Sequence, residues 1–377
     1  MTFVEWASAI SERPDLAEAV AEAGEHLHGP GSALGGPPDL LLAFVSGHAL
    51  GDGVQLSHHL QKIGGVVLGG SAGGVIGGGR EVERRPALAL MAARLPGVQV
   101  LPFHAAGEVD LDVSPEQQPA FLVLPDPFTC AVESLLGAMD AAWPSSVKLG
   151  ALVSGGRAPG QNVLLVGDTV HTRGAVGVAL VGDIRIDPLV AQGCRPIGRP
   201  LRVTRCRAHM LLELDGRPAV TALDEMWSVL SEEDRERFRA SPLVGIAVEE
   251  DACRSDFLVR NLLGLDRRAG VIGVGWAPDE GALVQFHLRD AASSAGDLEE
   301  RLARQTPPEA ALLFTCVGRG EDFHGRSGHD SDILRRRLGP VPIGGFFGSG
   351  EIGPVHGRSH VHGYTSAIGL VRRRGWD

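Results

Sequence analysis

One pattern occurs three times in this chain of 377 residues, and that recurrence constrains the fold more than any single motif. Each copy is an apolar run, an amphipathic helical stretch, a second apolar run ending in glycines, and a third apolar run. In the first, LLLAFVSG (40–47) precedes a stretch with Leu56, Leu60 and Ile63 on one helical face, then VVLGGSAGG (66–74) and PALALMAARL (86–95). The second is FLVLPDP (121–127), AVESLLGAMDAAW (131–143), KLGALVSGG (148–156) and GAVGVALVGD (174–183). The third is ALLFTCVGRG (311–320), SDILRRRLG (331–339), PIGGFFGSGE (342–351) and YTSAIGLV (364–371). In its helix, Ser331 reads as the cap and Gly339 as the stop. A strand–helix–strand crossover is right-handed with its two strands parallel. A third strand that returns makes the sheet mixed. The expected fold is therefore α+β, with repeated strand–helix–strand–strand units forming mixed sheets in two lobes.

Outside the repeats, residues 14–28 place Leu16, Val20, Ala23 and Leu27 on one helical stripe, and a Gly/Pro-rich loop (29–38) follows. Between copies two and three lies a different insert. Residues 199–220 read as a hairpin turning at Asp215-Gly216. SEEDRERFRA (231–240) reads as a helix, four alternating runs as strands, and DLEERLARQ (297–305) as a closing helix. The expected organisation is a helix and linker at 1–36, a domain at 37–217 and a second at 218–377.

Composition narrows the function classes. A net charge of −11 argues against nucleic acid or anionic lipid as the main partner. No apolar run reaches the ~18 residues of a membrane span, and the N-terminus does not read as a signal peptide. Five cysteines (130, 194, 206, 253 and 316) without a CxxC pair fit a reducing cytoplasm, the expected location, and argue against structural zinc.

Three constellations carry chemistry. Gly69-Gly70-Ser71-Ala72-Gly73 matches the G-x-S-x-G elbow of serine hydrolases, but that elbow needs a helix directly after the serine. Here more glycine and then a strand follow, so the glycines read as a tight strand end. His324, His329, His356, His360 and His362 cluster within 39 residues. If extended, His360 and His362 share a face and could hold a metal with Asp330 or Glu351, whereas the other three read as exposed loop histidines. Finally, Cys316 and Arg319 end one strand of the third repeat, and Glu351 ends the next. Parallel strands of such a unit finish at one edge, where ligands bind. Arg319 and Glu351 are thus expected to meet, either as an internal ion pair or as a clamp on a zwitterion. In the clamp, Arg319 takes a carboxylate and Glu351 an ammonium.

FTCVGRG, VPIGGFFGSGEIGP and VHGYTSAIGL resemble the C-terminal half of the FIST sensory domain, in residues Cys316, Arg319, Gly345, Phe346, Gly350, Glu351, His362 and Thr365. FVSGH, LGGSAGGVIGGGRE and PALALMAARLPG resemble its N-terminal half, and LDGRPA (214–219) the join. Where relatives carry Asn after the histidine, this chain has Gly363. The resemblance implies a cytoplasmic, non-enzymatic sensor of amino acids or similar small metabolites. It places the site at those eight residues, and the first repeat's loop, as the counterpart of the third's, adds Gly70, Ser71 and Glu81 as an expected second rim. No effector module fits in the remaining residues, so a separate signalling protein is the expected partner. Haem occurs in some members, which makes a non-covalent haem sensor with His362 or His360 as axial ligand the alternative. A hydrolase using Ser71 is the second alternative, and a scaffold whose glycine loops contact a partner protein the third.

Overall fold

The computed structural model describes residues 4–28, 34–47, 53–248 and 257–375; Cys253 and part of the loop 29–38 lie outside them. The chain opens with β1 (Glu5–Ser11) and α1 (Leu16–His28). The first repeat is β2 (Leu40–Ser46), α2 (Gly53–Gln61), β3 (Val66–Ser71), a hairpin of β4 (Gly74–Gly77) and β5 (Arg80–Glu83), and the return strand β6 (Ala87–Arg94). After β7 (Val98–Ala105), the second repeat is β8 (Ala120–Pro125), α3 (Val132–Ala142), β9 (Lys148–Ala151), the hairpin β10 (Leu164–Val166) and β11 (Thr169–His171), and β12 (Ala175–Gly182). β13 (Arg185–Ala191) follows.

The insert contributes β14 (Cys194–Arg207), β15 (Met210–Leu214), β16 (Arg217–Pro218), α4 (Ala219–Val229), α5 (Glu232–Ala240), β17 (Leu243–Ala247), β18 (Phe257–Asp266), β19 (Val271–Val274) and β20 (Leu283–Arg289), and then α6 (Ala291–Ala303). The third repeat is β21 (Ala310–Cys316), the short α7 (Glu321–His324), α8 (His329–Leu338), β22 (Ile343–Gly348), the hairpin β23 (Glu351–Val355) and β24 (Arg358–His362), and β25 (Ser366–Arg372). Two compact units result. One comprises residues 1–191 with 297–377 and the other residues 192–296.

The larger unit contains all three repeats, each at the heart of a six-stranded sheet: β1-β6-β2-β3-β10-β11, β7-β12-β8-β9-β23-β24 and β13-β25-β21-β22-β4-β5. The first two strands of each repeat are parallel and the return strand is antiparallel, so the sheets are mixed as the pattern predicts. The sequence pattern did not show that the hairpins change hands. The first repeat's hairpin completes the third's sheet, the third's completes the second's, and the second's completes the first's. The exchange closes on itself in a ring.

Why the leading strands are unbroken apolar runs follows from this layout. Leu40, Leu42 and Phe44 face a core shared with Leu122, Leu124, Leu312 and Phe314, the matching positions of the other repeats. Leu41, Ala43 and Val45 face α1 and α2 through Ala19, Val20, Ala23, Leu56 and Leu60. Strands covered on both faces cannot alternate. Each such side chain contributes about 1.5–3 kcal/mol on burial.

The recurrent glycines have an equally local cause. Gly69, Gly150 and Gly345 occupy matching positions on the second strands, opposite Ala43, Val123 and Leu313. At each, a Cβ would fall on the carbonyl oxygen of that opposite residue. Only glycine permits the approach.

In the smaller unit, a seven-stranded sheet, β14-β20-β17-β18-β19-β15-β16, surrounds a core that includes Leu211, Leu214, Phe238, Val244, Phe286 and Leu288. Ser231 caps α5 by accepting from the Asp234 N–H.

Several local expectations change. The N-terminal segment holds a strand, β1, paired with β6, besides its helix. Asp215-Gly216 does turn a hairpin, but only the minimal one between β15 and β16. The larger one, β14 to β15, turns at Ala208-His209, with Ala208 at φ 49°, a conformation alanine does not advertise. The helix α4 was not expected. Ser331 is not the cap of α8: the helix begins at His329 after Gly328, and Ser331 lies in its first turn. Gly339 does end the helix, at φ 84°.

Candidate functional site

β21 and β22 are parallel and end side by side, with Cys316 opposite Gly348. Past Cys316 the chain makes a single 3₁₀ turn (Val317–Arg319) that returns Arg319 into the interior, where its side chain is fully buried. A guanidinium cannot shed its charge, so it must find an anion there. It finds Asp330, not Glu351. Arg319 Nε donates to Asp330 Oδ2 at 3.2 Å and Nη2 to Oδ1 at 3.1 Å. The same carboxylate accepts from Thr315 Oγ1 at 3.0 Å, Ser366 Oγ at 2.6 Å and His329 Nδ1 at 2.8 Å. Burial opposes ionisation of Asp330, but Arg319 and these donors outweigh it and hold the carboxyl far below its usual range.

Glu351 is fully buried at the start of β23. Thr365 reaches it with two groups, its N–H and Oγ1, which donate to Oε2 at 3.1 and 2.7 Å. Among the described residues, Oε1 accepts no hydrogen bond. Burial pushes this carboxyl up to about 8, with only partial relief from Thr365 and from the charge of Arg319. The expected Arg319–Glu351 ion pair is therefore absent among the described contacts, and the two act on each other through space alone. Beside them, burial and the Glu351 charge push the Cys316 thiol up to about 12, which removes it as a nucleophile.

The ring of exchanged hairpins brings first-repeat residues here. From β5, Glu81 Oε1 accepts from the Ser331 N–H at 2.6 Å, and Glu83 Oε1 accepts from the Glu321 N–H at 2.9 Å. Burial, with Asp330 nearby, raises Glu81 to about 7. Of the expected second rim, Glu81 thus joins the site, whereas Gly70 and Ser71 do not. Ser71 is fully buried on β3, donates to Asn162 Oδ1 at 3.2 Å and accepts from the Val163 N–H at 3.1 Å. Asn162 in turn donates to Asp126 at 2.8 Å. An amide stands where a hydrolase needs a base, and a strand follows where it needs a helix.

The histidines also depart from expectation. His360 and His362 share a face, with ring centroids 6.4 Å apart. His362 Nε2 lies 3.1 Å from the Gly353 carbonyl, to which it donates, so it does not fit axial ligation of haem through that nitrogen. His324 and His329, read as exposed, are instead inside. Their rings stack at 3.5 Å and their side chains are 1% and 10% exposed. Burial lowers His324 to about 3, so it is neutral. Gly345 lies within β22, and Gly350 precedes Glu351 at φ 157°. Phe346 packs its ring against Phe44 at 4.7 Å and Phe314 at 5.5 Å, inside the shared core.

Sequence reasoning thus named Arg319, Glu351, Thr365 and Glu81, but gave Arg319 the wrong partner. Its real one lies eleven positions on, past a loop whose Gly325 and Gly328 both take positive φ. No periodicity signals such a return.

The FIST N domain matches residues 39–217 and the FIST C domain residues 222–354. An uncharacterized protein of Mycobacterium tuberculosis strain H37Rv is 35% identical over 377 residues, covering 96% of this chain and 98% of its own. An uncharacterized protein of Mycobacterium bovis is 40% identical over 257 residues, 66% of each chain. Human F-box only protein 22 is 32% identical over 101 residues, 25% of each.

Proposed function

The chain belongs to the FIST family, whose domains are sensory, and from that premise we propose that it senses a small ligand through an N–H donor presented to Glu351. The observation that carries this reading is the bare Oε1 of a fully buried carboxyl. As a carboxylate, Glu351 would leave a buried acceptor without a donor, at about 1–3 kcal/mol, and a bound ammonium recovers that cost by taking the place of the carboxyl proton. Amino acids and similar small metabolites are the proposed class, recognised through the amine. A ligand carboxylate is held elsewhere, because Asp330 already fills the fork of Arg319. The protein acts without catalysis, in the cytoplasm, and reports to a separate signalling protein. The amide partner of Ser71 and the raised Cys316 thiol support the non-catalytic part of the reading.

The test is thermal unfolding against amino acids, small amines, small carboxylates and haemin, with wild type beside Glu351→Gln. A ligand at about 100 times its Kd stabilises by ~2.7 kcal/mol, or roughly 2 °C in a chain this long. A shift with amine-bearing compounds that the variant loses supports the proposal. A flat panel, a shift with carboxylates alone, or one with haemin alone overturns it.

A further inference from the structure

The short helix α7 ends at His324, and α8 begins at His329. Between them, Gly325 at φ 71° and Gly328 at φ 73° fold the four-residue loop back on itself, which lays one imidazole over the other. Asp330 comes next in the chain, and its Oδ1 lies 2.8 Å from His329 Nδ1 and 3.9 Å from His324 Nε2. One donor atom from each of the three residues lies within 4.8 Å of the other two. We propose that His324, His329 and Asp330 form a binding site for a divalent transition-metal ion of the zinc or cobalt class.

Three observations point this way. His324 Nε2 is buried and, among the described residues, makes no hydrogen bond. A buried ring nitrogen without a partner is the kind of donor a metal takes up. The spacing is also close to what is needed. Bonds of about 2.0–2.1 Å to a tetrahedral ion put donor atoms roughly 3.4 Å apart, so shifts of about an ångström suffice. The third observation is the surroundings of Asp330. Thr315 and Ser366 hold Oδ2, the oxygen away from the histidines, and Arg319 bridges both oxygens, sharing Oδ1 with His329, so the carboxylate is fixed as outer-shell groups orient a metal-ligating carboxylate.

Two imidazoles and one carboxylate favour zinc, cobalt or nickel over calcium or magnesium, which prefer oxygen alone. Binding requires the stacked rings to splay until both lone pairs aim at one point, and the flanking glycines supply that freedom. It also requires His329 to change tautomer. The proton that Nδ1 now gives to Asp330 leaves, and one is taken up at Nε2. The ion replaces the proton between nitrogen and carboxylate.

The experiment uses the full chain, treated with chelator and titrated with Co²⁺ while visible absorption is followed, then back-titrated with Zn²⁺. One Co²⁺ per chain with ligand-field bands of a four- or five-coordinate ion, displaced by Zn²⁺, is the expected result. His324→Ala should weaken binding at least tenfold. No bands in wild type, or undiminished affinity in His324→Ala, overturns the site. If that variant does not fold, the imidazole ¹⁵N resonances of wild type decide. Shifts of His324 and His329 on adding Zn²⁺ support the site, and unmoved resonances overturn it.

Discussion

Arg319 and Asp330 form a bidentate ion pair with no exposure to speak of, their side chains 0% and 3% accessible. The pair pins the end of β21 to the first turn of α8 and leaves Glu351 to Thr365. The site is thus split into a closed ionic half and a half with acceptor capacity to spare.

The closed half should be the more costly to break. Asp330→Ala strands a buried guanidinium, a loss of about 3–5 kcal/mol. The double variant Arg319→Met with Asp330→Leu removes both charges and should recover part of that loss. Guanidinium unfolding midpoints of the three proteins check this. A double variant no better than the single one means that the pair is not the source of the cost.

Glu351 should make stability fall as pH rises. Its folded pKa is raised from 4.5 to about 8, so the folded chain keeps a proton that the unfolded chain has released. The contribution is complete below 4.5 and is lost as pH climbs to about 8, at up to ~1.4 kcal/mol per pH unit. Glu81, raised to about 7, acts in the same direction over the lower part of that window. Asp330, held down, acts oppositely, and only at acid pH. Glu351→Gln should therefore be flatter against pH than wild type between neutrality and pH 8, as unfolding at a series of pH values would show. Parallel curves would contradict it.

The matching strand glycines should not tolerate a methyl group. Gly345→Ala sets a Cβ on the Leu313 carbonyl oxygen, and Gly69→Ala does the same at Ala43. Overpacking of this kind costs about 1–3 kcal/mol or more. Gly97→Ala is the control for handling, since its Cβ would meet nothing within 4 Å, although its φ of 80° still costs something. Melting temperatures should rank wild type above Gly97→Ala and both well above the strand variants.

Ser71 should matter to stability and not to chemistry. Ser71→Ala leaves the buried Val163 N–H without the hydroxyl that accepts from it and takes one of two donors from the Asn162 oxygen, for about 1–3 kcal/mol. A fluorophosphonate probe should leave the wild-type serine unmodified by mass spectrometry. Labelling at Ser71 would restore the hydrolase reading.

The three repeats were legible because burial on both faces forces unbroken apolar runs, and because the glycines under those runs answer a local steric demand. Glu351 stood out for the same reason, as a lone carboxylate in a glycine-rich strand end. What stayed hidden depends on distance along the chain. Short hairpins such as Gly74–Gly77 with Arg80–Glu83 carry little apolar signal, and their true neighbour, β22, is far along the sequence. Arg319 was assigned to Glu351 on strand geometry, which is blind to the loop that folds Asp330 back. The buried histidines were misjudged because glycine on either side reads as solvent exposure. Here glycine instead supplies the turn that packs two rings together.

The ring of exchanged hairpins bears on how such a chain comes to be folded. As synthesis proceeds, β4 and β5 emerge some 260 residues before the strand they must join, β22, which appears only when residues 343–348 are made. Until then the first sheet's contribution has no seat, and the second sheet still lacks its last two strands. The larger unit cannot be assembled until β22 to β24 have been made, and a ribosome stalled in the insert would hold a nascent chain with open sheet edges, a natural client for chaperones.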